Sequence, residues 1–362
     1  MRVAVIGAGI AGAACARALA DAGHAVHVFD KSRGAGGRLS SRRAALDDGA
    51  ALRFDHGAPG FAASDPAFCA FAEQAQRDGL LARWTPRLAP DGRTPDDGAL
   101  WVPTPDMPAL CRALLSGLPL HTLCAVDALR RPGAKWRLDS VGATLADGFD
   151  AVAVAIPPEQ AAPLLDPHRA DWAARIRALP MLPAWVLMGV TDAPANGVDW
   201  DAALPPAGPA ALVLRSESRP ARAGLPGLAQ WVVHATPDWS RAWLEAPPDA
   251  VQAALQEALA ECVGSALAWR HAAVHRWRYA TLAPAQSDRS ADADLAPGTA
   301  DPLAGAAQGC AMAPSAPAAW LDAGAGLGVC GDALGGGGVE GAWRSGRALA
   351  ARLALCAAGN PA

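Results

Sequence analysis

The sequence predicts an α/β protein in which a Rossmann-type, dinucleotide-binding domain is joined to a smaller α+β domain with an antiparallel sheet. Three observations predict this fold. The first residues read as strand, glycine turn, helix and strand, with Gly7-x-Gly9-x-x-Gly12 at the turn. A second glycine-rich strand and helix, "GLGVCGDALGGGGVEGAW", stands near the other end of the chain. Between the two, several short segments alternate apolar and polar residues as half-buried strands do.

The composition is ordinary for a soluble enzyme. The chain has 362 residues, enough for two domains, and a formal net charge of -4. This balance argues against nucleic acid or an anionic membrane as a partner. No run of about twenty apolar residues occurs, so no membrane span is predicted. The eight cysteines are scattered without a Cys-x-x-Cys pair, which predicts buried free thiols and a reducing, cytoplasmic environment.

The opening segment "MRVAVIGAGIAGAACA" can be read as a secretory signal peptide or as a nucleotide-binding βαβ unit. A signal peptide needs an unbroken apolar segment, whereas glycines and then Arg17 and Asp21 interrupt this one. Met1 to Ile6 is typical of a buried strand, a helix follows from Ile10, and "GHAVHVFD" predicts the second strand. The βαβ unit is therefore the prediction.

Each glycine of the motif has a physical task. Gly7 permits the tight turn, Gly9 lets the backbone approach a pyrophosphate, and Gly12 lets helix and strand pack closely. The pyrophosphate would lie at the helix N-terminus, where free N–H groups favour negative charge. Asp30, at the end of the second strand, can accept hydrogen bonds from ribose hydroxyls. The predicted contacts from the turn are those of Gly7, Ala8, Gly9, Ile10, Ala11 and Gly12.

A second glycine element follows Asp30 directly. "DKSRGAGGRLSSRR" places Lys31 and Arg33 before Gly37 and Arg38. A nicotinamide-type domain has no need of a second glycine pair and arginine here, and a basic surface loop is the alternative. The Gly-Gly-Arg element resembles that of amine oxidase-like flavoproteins, in which backbone and guanidinium reach the pyrophosphate of FAD.

The C-terminal element consists of a strand that ends at Gly331-Asp332, a glycine run and a helix. The glycines Gly335 to Gly338 could by themselves form a flexible loop. By resemblance to the same flavoproteins, Gly331 and Asp332 contact the ribityl and pyrophosphate part of FAD. The amides of the first helical turn then point at the flavin ring. That turn consists of Val339, Glu340, Gly341 and Ala342.

Six segments, in order along nearly the whole chain, resemble the bacterial renalase-like flavoproteins within the amine oxidase-like group. They are "VFDKSRGAGGRLSSRR", "FDHGAPGFAA", "WVPTPDMPALCRAL", "WVVHATPDWSRAWLE", "HRWRYA" and "VCGDALGGGGVEGAWRSG". The resemblance implies FAD as cofactor, with Gly57, Ala58 and the backbone of Val126 beside it. It also implies that a dihydronicotinamide dinucleotide is the substrate. Misreduced isomers of NAD(P)H would give hydride to flavin N5 and become NAD(P)+, and O2 would be reduced to hydrogen peroxide.

The candidate catalytic residues are His234, Arg276 and Tyr279, in the family-like segments "HATPDWS" and "HRWRYA". Hydride transfer from a dihydronicotinamide needs little acid–base help, because its product is a stable aromatic cation, so the protein must mainly stack the two rings. His271 and His275 are four residues apart, but their segment alternates as a strand does and no carboxylate ligand accompanies them. We therefore predict structural roles for both and no metal site.

Two other activities stay open. An amine oxidase commonly orients its neutral amine with two aromatic rings, often tyrosines, and Tyr279 is the one tyrosine of this chain. Tryptophan or phenylalanine could replace the second ring. A desaturase-type flavoprotein would need a membrane-facing apolar surface, which the sequence does not locate.

The motifs at both ends predict a discontinuous FAD-binding domain made of residues 1–60, 119–160 and 325–362. The substrate domain would take residues 61–118 and 161–324. Its helices are predicted at "DPAFCAFAEQAQRDGLL" and "PPDAVQAALQEALAECVG", and its antiparallel strands at "AWVLMGVT", "AALVLRS", "AQWVVHAT" and "AWRHAAVHRWRYA". The stretch 287–319, rich in Ala, Pro, Asp and Gly, predicts a low-complexity surface loop.

Overall fold

The structure, a computed structural model, describes residues 1–89, 99–195, 197–283 and 318–359. The strands are β1 (Arg2–Ile6), β2 (Ala25–Phe29), β3 (Ser41–Ala45), β4 (Ala51–Asp55), β5 (Leu81–Trp84), β6 (Leu100–Pro103), β7 (Leu120–His121), β8 (Ala128–Arg130), β9 (Trp136–Ser140), β10 (Ala143–Phe149), β11 (Ala151–Val154), β12 (Met181–Asp192), β13 (Ala202–Ala203), β14 (Ala210–Arg215), β15 (Leu228–Ala235), β16 (Trp269–Leu282), β17 (Trp320–Asp322) and β18 (Leu327–Val329). The helices are α1 (Ile10–Asp21), α2 (Pro66–Arg77), α3 (Ala109–Leu114), α4 (Pro158–Leu165), α5 (Ala170–Arg177), α6 (Pro237–Ala242), α7 (Pro248–Val263), α8 (Asp332–Gly335) and α9 (Gly338–Ala357).

The first sheet has the strand order β17-β18-β11-β1-β2-β7, and its neighbours are parallel except for β17 and β18. Strands β1 and β2 with α1 between them form the predicted βαβ unit, in which Val5 pairs with Val28. Every residue of β11 is buried, as expected for a parallel strand with both faces covered. Helices α1 and α9 pack on one face, and α4 and α5 pack on the other.

Three separated stretches of chain build this sheet: β1 and β2, then β7 and β11, then β18. They fall within the three ranges predicted for the FAD-binding domain. The edge strand β17 also pairs with β18, and Trp172 and Ile176 of α5 pack in the same core. Both elements lie outside the predicted ranges, so the domain boundaries stay a proposal.

The second sheet is antiparallel, with the strand order β13-β14-β15-β12-β16. Its four long strands are those predicted from the alternating segments. One face packs on α7, and the other packs toward Phe54 and the first sheet. Val186 of β12 lies on this inner face and pairs with His234 of β15 and with His275 of β16. Because directly paired residues share a face, both histidines point toward the first sheet.

The two helices predicted for the substrate domain, α2 and α7, are confirmed. Helix α2 begins after Asp65, whose carboxylate accepts hydrogen bonds from two first-turn amides. Helix α7 ends at Gly264, which has a left-handed conformation with φ of 72°. The predicted loop at 287–319 lies outside the described residues, apart from Ala318 and Ala319.

Two further expectations concern the described ranges: that their cysteines are free thiols, and that no helix crosses a membrane. The cysteines in those ranges are free thiols; Cys15, Cys111 and Cys330 are buried, and the others are partly buried. No helix of the described chain is both long enough and apolar enough to cross a membrane.

Candidate functional site

Two glycine turns meet at the carboxyl edge of the parallel sheet. Gly9 forms an isolated parallel bridge with Gly36, whose N–H donates to the Ala8 carbonyl at 3.0 Å. A Cβ on Gly12 would lie 1.9 Å from the Gly7 oxygen, so the packing of helix against turn requires that glycine. A Cβ on Gly9 would have no neighbour nearer than 3.9 Å. Gly9 is therefore free of close protein contacts where the pyrophosphate is predicted.

The N-terminus of α1 and the Asp30 carboxylate lie beside this turn. Helix α1 starts after Gly9 without a side-chain cap and without an acidic residue in its first turn. Its first-turn N–H groups, at Ile10 and Ala11, therefore have no capping side chain. Asp30 accepts hydrogen bonds from the N–H groups of Ala8 and Ser32, both at 2.7 Å. The remaining lone pairs of that carboxylate can accept ribose hydroxyls.

Arg38 joins the two ends of the chain. Its guanidinium makes two hydrogen bonds to the Asp332 carboxylate, at 2.6 and 2.7 Å, and donates to the Ala280 carbonyl at 3.2 Å. The Arg38 carbonyl accepts the N–H of Ala58 at 3.0 Å, and a Cβ on Gly57 would lie 1.9 Å from the same oxygen. Four predicted cofactor contacts, Arg38, Gly57, Ala58 and Asp332, are thus brought together.

The C-terminal glycines form a tight turn between α8 and α9. A Cβ on Gly335 would lie 1.9 Å from the Gly341 oxygen. Gly336, Gly337 and Gly338 have φ values of 95°, 90° and 64°, which L side chains rarely adopt. Helix α9 then begins without a side-chain cap, so its first amides are available to an electronegative group.

Glu340 is predicted as a cofactor contact, but its carboxylate binds the start of α2. It accepts hydrogen bonds from Ser64 N–H at 2.6 Å, from Ser64 Oγ at 2.8 Å and from Asp65 N–H at 3.1 Å. The Glu340 side chain therefore ties α9 to α2, and only its backbone remains for the cofactor. Val339 and Ala342, in the same turn, pack on the core.

Three further predicted contacts lie at the margin of the glycine turns. Lys31 is exposed and donates to Gln160 Oε1 at 3.0 Å, and Arg33 is exposed. Val126 follows a segment whose amides hydrogen-bond the carbonyls of the loop that begins at Asp30. The contacts of Lys31, Arg33 and Val126 with a cofactor stay predictions.

The residues present fit a dinucleotide cofactor. The uncapped α1 N-terminus suits a pyrophosphate, and Asp30 suits a ribose. Arg38, whose charge Asp332 compensates, borders the other side of the glycine turns, and the uncapped N-terminus of α9 suits the electron-accepting end of a ring. These elements are the same ones that the sequence predicts for FAD.

Three histidines, His56, His234 and His275, form a histidine cluster between the two sheets. The His56 ring meets His275 edge-on, with centroids 4.7 Å apart, and stacks on Trp277 at 5.2 Å. Trp277 Nε1 donates to the His56 carbonyl at 2.8 Å. His234 lies across Val186 from His275. His56 Nδ1 and His234 Nε2 are buried and have no hydrogen-bond partner within the described ranges.

The histidine cluster adjoins Arg38 through two short stretches of chain. His56 directly precedes Gly57–Ala58, which contacts the Arg38 carbonyl. Trp277 lies three residues before Ala280, whose carbonyl accepts from the Arg38 guanidinium. The cluster therefore lies where the second sheet borders the predicted cofactor site.

Burial and a nearby arginine keep the histidine cluster uncharged. Burial, followed by the charges of Arg219 and His56, lowers the pKa of His234 to about 3. Burial, followed by the neighbouring His275, lowers the pKa of His56 to about 4. Both imidazoles are therefore neutral near pH 7, and their surroundings disfavour a positive charge.

Asp55 is the buried carboxylate beside the cluster, and two arginines compensate its charge. Arg222 Nη2 lies 2.6 Å and Arg219 Nη1 lies 3.8 Å from Asp55 Oδ2. Burial acts to raise the pKa of Asp55, but these arginines and the Ser41 hydroxyl outweigh it and hold that pKa below its usual value. Burial also lowers the pKa of Arg219, whose side chain is 0% exposed.

The structure separates the three residues predicted as catalytic. His234 lies in the histidine cluster. Arg276 points to the opposite face of β16, where Nη1 lies 2.8 Å from Glu245 Oε2 and the guanidinium lies 5.5 Å from the Trp185 ring. Successive strand residues alternate between faces, so an inward His275 turns Arg276 outward. The prediction that Arg276 lies with His234 at the catalytic site is therefore corrected: the structure places Arg276 on the outer face of β16.

Tyr279 lies at the end of β16 nearest the predicted cofactor site. It directly precedes Ala280, the residue whose carbonyl accepts from Arg38. A bulge or irregularity in the pairing of β12 with β16 occurs between the pairs Leu182↔Thr281 and Ala184↔Trp277, so strand alternation does not fix its direction. Its catalytic role stays a prediction.

Sequence reasoning missed His56, Arg219 and Arg222, and it gave His275 only a structural role. His56 stands in the family-like segment "FDHGAPGFAA", and a histidine just after a strand end was the available signal. Arg219 and Arg222, in "ESRPARAG", resemble an exposed basic loop. Their burial depends on Asp55, which precedes Arg222 by 167 residues.

Comparison with known proteins adds a family match. Residues 91–354 match the family described as flavin-containing amine oxidoreductase, and residues 5–75 match the NAD(P)-binding Rossmann-like domain. Carotenoid φ-ring synthase of Streptomyces griseus is 34% identical over 162 residues, which is 39% of this chain and 30% of that protein. The chain thus matches under a third of the length of that curated relative.

Solved structures resemble the chain over nearly its full length. A candidate protoporphyrinogen oxidase from Exiguobacterium sp. 255-15 has a TM-score of 0.69 with 12% identity and covers 98% of each chain. Cyclohexylamine oxidase from Brevibacterium oxydans IH-35A has a TM-score of 0.62 with 15% identity and also covers 98% of each chain. At these identities the likeness shows the fold.

Proposed function

The chain belongs to the flavin-containing amine oxidoreductase family, and from this premise we propose that it is a renalase-type oxidase of aberrant dihydro-NAD(P) isomers. FAD is the cofactor of this oxidoreductase; when bound, it accepts a hydride, and the two electrons then reduce O2, with protons, to hydrogen peroxide. The product of the proposed reaction is NAD(P)+.

The observation that carries the proposal is a buried histidine cluster whose neighbouring carboxylate, Asp55, is already paired with Arg219 and Arg222. A site that lowers the pKa of His234 to about 3 and that of His56 to about 4 also disfavours an alkylammonium ion. A simple alkylamine, like the lysine side chain with a pKa of about 10, is such an ion at neutral pH and must lose a proton before it enters, which a dihydronicotinamide need not do. A dihydronicotinamide ring arrives uncharged.

The residues of the cluster can position such a ring. Trp277 is held against His56 by ring stacking and by the hydrogen bond from its Nε1 to the His56 carbonyl. His234 Nε2 is buried and has no protein partner in the described chain, so a nicotinamide carboxamide that entered the cluster could satisfy it. Since the His234 imidazole is neutral, it can donate or accept one hydrogen bond there.

The same cluster favours release of the product. Loss of a hydride turns the neutral ring into a nicotinamide cation. Surroundings that disfavour imidazolium also disfavour this cation, so the oxidised ring binds more weakly than the reduced one. Because the substrate loses only a hydride, the protein needs no group that moves a proton to or from it.

Two other activities within the family accord with the comparisons equally well. The chain has the fold of cyclohexylamine oxidase, and part of it is similar to carotenoid φ-ring synthase. Oxidation of a small amine and a desaturase-type reaction are therefore the outcomes against which the proposal is tested.

Anaerobic mixing of the holoprotein with equilibrated NADH isomers tests the proposal. We expect the minor isomers to bleach the oxidised flavin band within seconds, and readmitted O2 to restore the band and form hydrogen peroxide. Purified 1,4-NADH, cyclohexylamine and putrescine serve as matched reductants that should bleach it at least tenfold more slowly. Rapid bleaching by an amine, or no bleaching by any isomer, would overturn the proposal.

A further inference from the structure

An exposed arginine stands at the outer end of the histidine cluster, on the β3–β4 hairpin. Arg42 is paired with Phe54, so the two side chains share one face of the hairpin. The Phe54 ring stacks on His271 of β16, with centroids 5.9 Å apart and planes 12° from parallel. The hairpin face that carries Arg42 is therefore turned toward the inner face of β16.

The inner face of β16 leads from Arg42 to the predicted cofactor site. His271 lies beside Phe54, His275 lies beside His56, and Ala280 contacts Arg38. A strand rises about 3.3 Å per residue, so His271 and His275 are separated by about 13 Å. A dinucleotide bound along this face could place its ring near His275 and its phosphates near His271.

Arg42 is available to a ligand. It is exposed, and its guanidinium has no hydrogen bond or ion pair with another residue of the described ranges. Burial first and the Arg42 charge second lower the pKa of both His271 and His275, while Asp47 opposes this at His271 with a smaller effect. The two imidazoles are therefore neutral N–H donors beside a free cation.

We propose that Arg42, with His271 beside it, binds the pyrophosphate of the dinucleotide substrate and so selects dinucleotide isomers over the corresponding ribosides. The inference rests on the proposed function, because it assigns a part of the same substrate. A guanidinium matches a phosphate with two parallel hydrogen bonds, and a neutral imidazole adds a third donor. The site assigned to the cofactor's own pyrophosphate, at Gly9 and Arg38, lies at the other end of β16.

Arg43 provides a matched control on the same strand. It is also exposed, but it is paired with Arg53 on the opposite face of the hairpin. Arg43→Gln removes the same charge from the neighbouring position without touching the face of Phe54 and His271. A difference between Arg42→Gln and Arg43→Gln therefore reports on that face and not on net charge.

The first test compares the kinetics of the two variants as holoproteins with dinucleotide and riboside isomers. We expect Arg42→Gln to raise the KM for dinucleotide isomers about tenfold, the loss of one charge-assisted contact, with kcat changed less than twofold. Its KM for riboside isomers, and both constants of Arg43→Gln, should match the unchanged protein. Arg42→Lys, which keeps the charge but not the two-point geometry, should lie between them. Equal KM values for Arg42→Gln and Arg43→Gln would overturn the inference and leave the proposed function standing.

The second test measures binding without turnover. ADP-ribose, which carries the pyrophosphate but no reducing ring, is titrated into each holoprotein by calorimetry, with adenosine as the probe that lacks phosphate. We expect Arg42→Gln to weaken ADP-ribose binding about tenfold and Arg43→Gln to leave it unchanged. If no isomer bleaches the flavin, the proposed function fails, and this titration still decides the pyrophosphate site. Equal ADP-ribose affinity in the two variants would overturn the site.

Discussion

Arg38 and Asp332, 294 residues apart in the chain, form a two-point ion pair with bonds of 2.6 and 2.7 Å. Arg38 follows the second glycine turn, and Asp332 starts α8 just before the C-terminal glycine turn. Burial opposes the Arg38 charge, but the Asp332 carboxylate outweighs it and raises the pKa of Arg38 above its usual value. The pair holds together the two ends of the chain that build the predicted cofactor site.

Breaking this pair should cost both stability and flavin. Asp332→Asn keeps the shape but removes the charge that compensates Arg38, so we expect the free energy of unfolding to fall by about 2 kcal/mol. The flavin-to-protein absorbance ratio should fall with it. Arg87→Gln, which breaks the exposed two-point pair of Arg87 with Asp201, serves as control and should cost less than about 1 kcal/mol. Full flavin content in Asp332→Asn would show that the pair stabilises the fold without contributing to flavin binding.

Gly9 and Gly12 should respond differently to the same substitution. Gly9→Val adds a Cβ with no protein atom nearer than 3.9 Å, so the protein should still fold in the absence of flavin. It should retain less than a tenth of the flavin, because the side chain occupies the pyrophosphate position. Gly12→Val, whose Cβ would lie 1.9 Å from the Gly7 oxygen, should fail to fold. Copurification of flavin with Gly9→Val at the usual ratio would contradict the assignment.

Local patterns predict the elements of this fold well, because glycine motifs and strand alternation act over a few residues. The βαβ unit, the Asp65 cap and the four long strands of the second sheet follow from them. The inner face of β16 does not, since residues on both of its faces are partly buried and leave no apolar stripe to read. The error at Arg276 has this origin.

Long-range partners account for the other differences. Glu340 stands in a helix turn that resembles flavin-binding turns, but its carboxylate finds amide donors at Ser64 and Asp65, which no local pattern reveals. Arg219 and Arg222 look like surface arginines until Asp55 is placed beside them. These side chains therefore owe their positions to polar partners that are distant in the sequence, and secondary structure alone does not predict them.

His234 of β15 and Arg276 of β16 lie on opposite faces of the second sheet, and this difference gives opposite expectations for their substitution. Arg276→Gln removes an ion pair with Glu245 on the outer face, and we expect kcat and KM for the isomers to change less than twofold, with a stability loss under about 1 kcal/mol. His234→Phe removes a ring nitrogen from the cluster and should raise KM by about fivefold to tenfold. Steady-state kinetics on both variants show which face of the second sheet contacts the substrate. A larger effect from Arg276→Gln would restore it as a substrate contact.

Stability should fall in acid because the cluster stays neutral when folded. The folded-state pKa of His234 is about 3, below its unfolded value of 6.5, so below pH 6.5 the unfolded chain binds more protons. This stability is fully present above pH 6.5 and is lost as the pH falls toward 3; between pH 7.5 and 5.5 the loss is about 1.4 kcal/mol. Urea unfolding at the two pH values should show a pH-dependent loss smaller by that amount in His234→Leu. Val233→Ala, a buried neighbour on the other face, should keep the full pH dependence.

The pH dependence of flavin reduction separates the proposed substrate from an amine. His234 and His56 are neutral throughout pH 6 to 8, with pKa values of about 3 and about 4, and a dihydronicotinamide donates hydride without losing a proton. The anaerobic bleaching rate at low isomer concentration should therefore change less than twofold over this range. An amine must be neutral to react, and the neutral fraction of a base with a pKa of about 10 rises about tenfold per pH unit. A hundredfold rise in rate between pH 6 and 8 would identify an amine substrate and exclude the dihydronicotinamide.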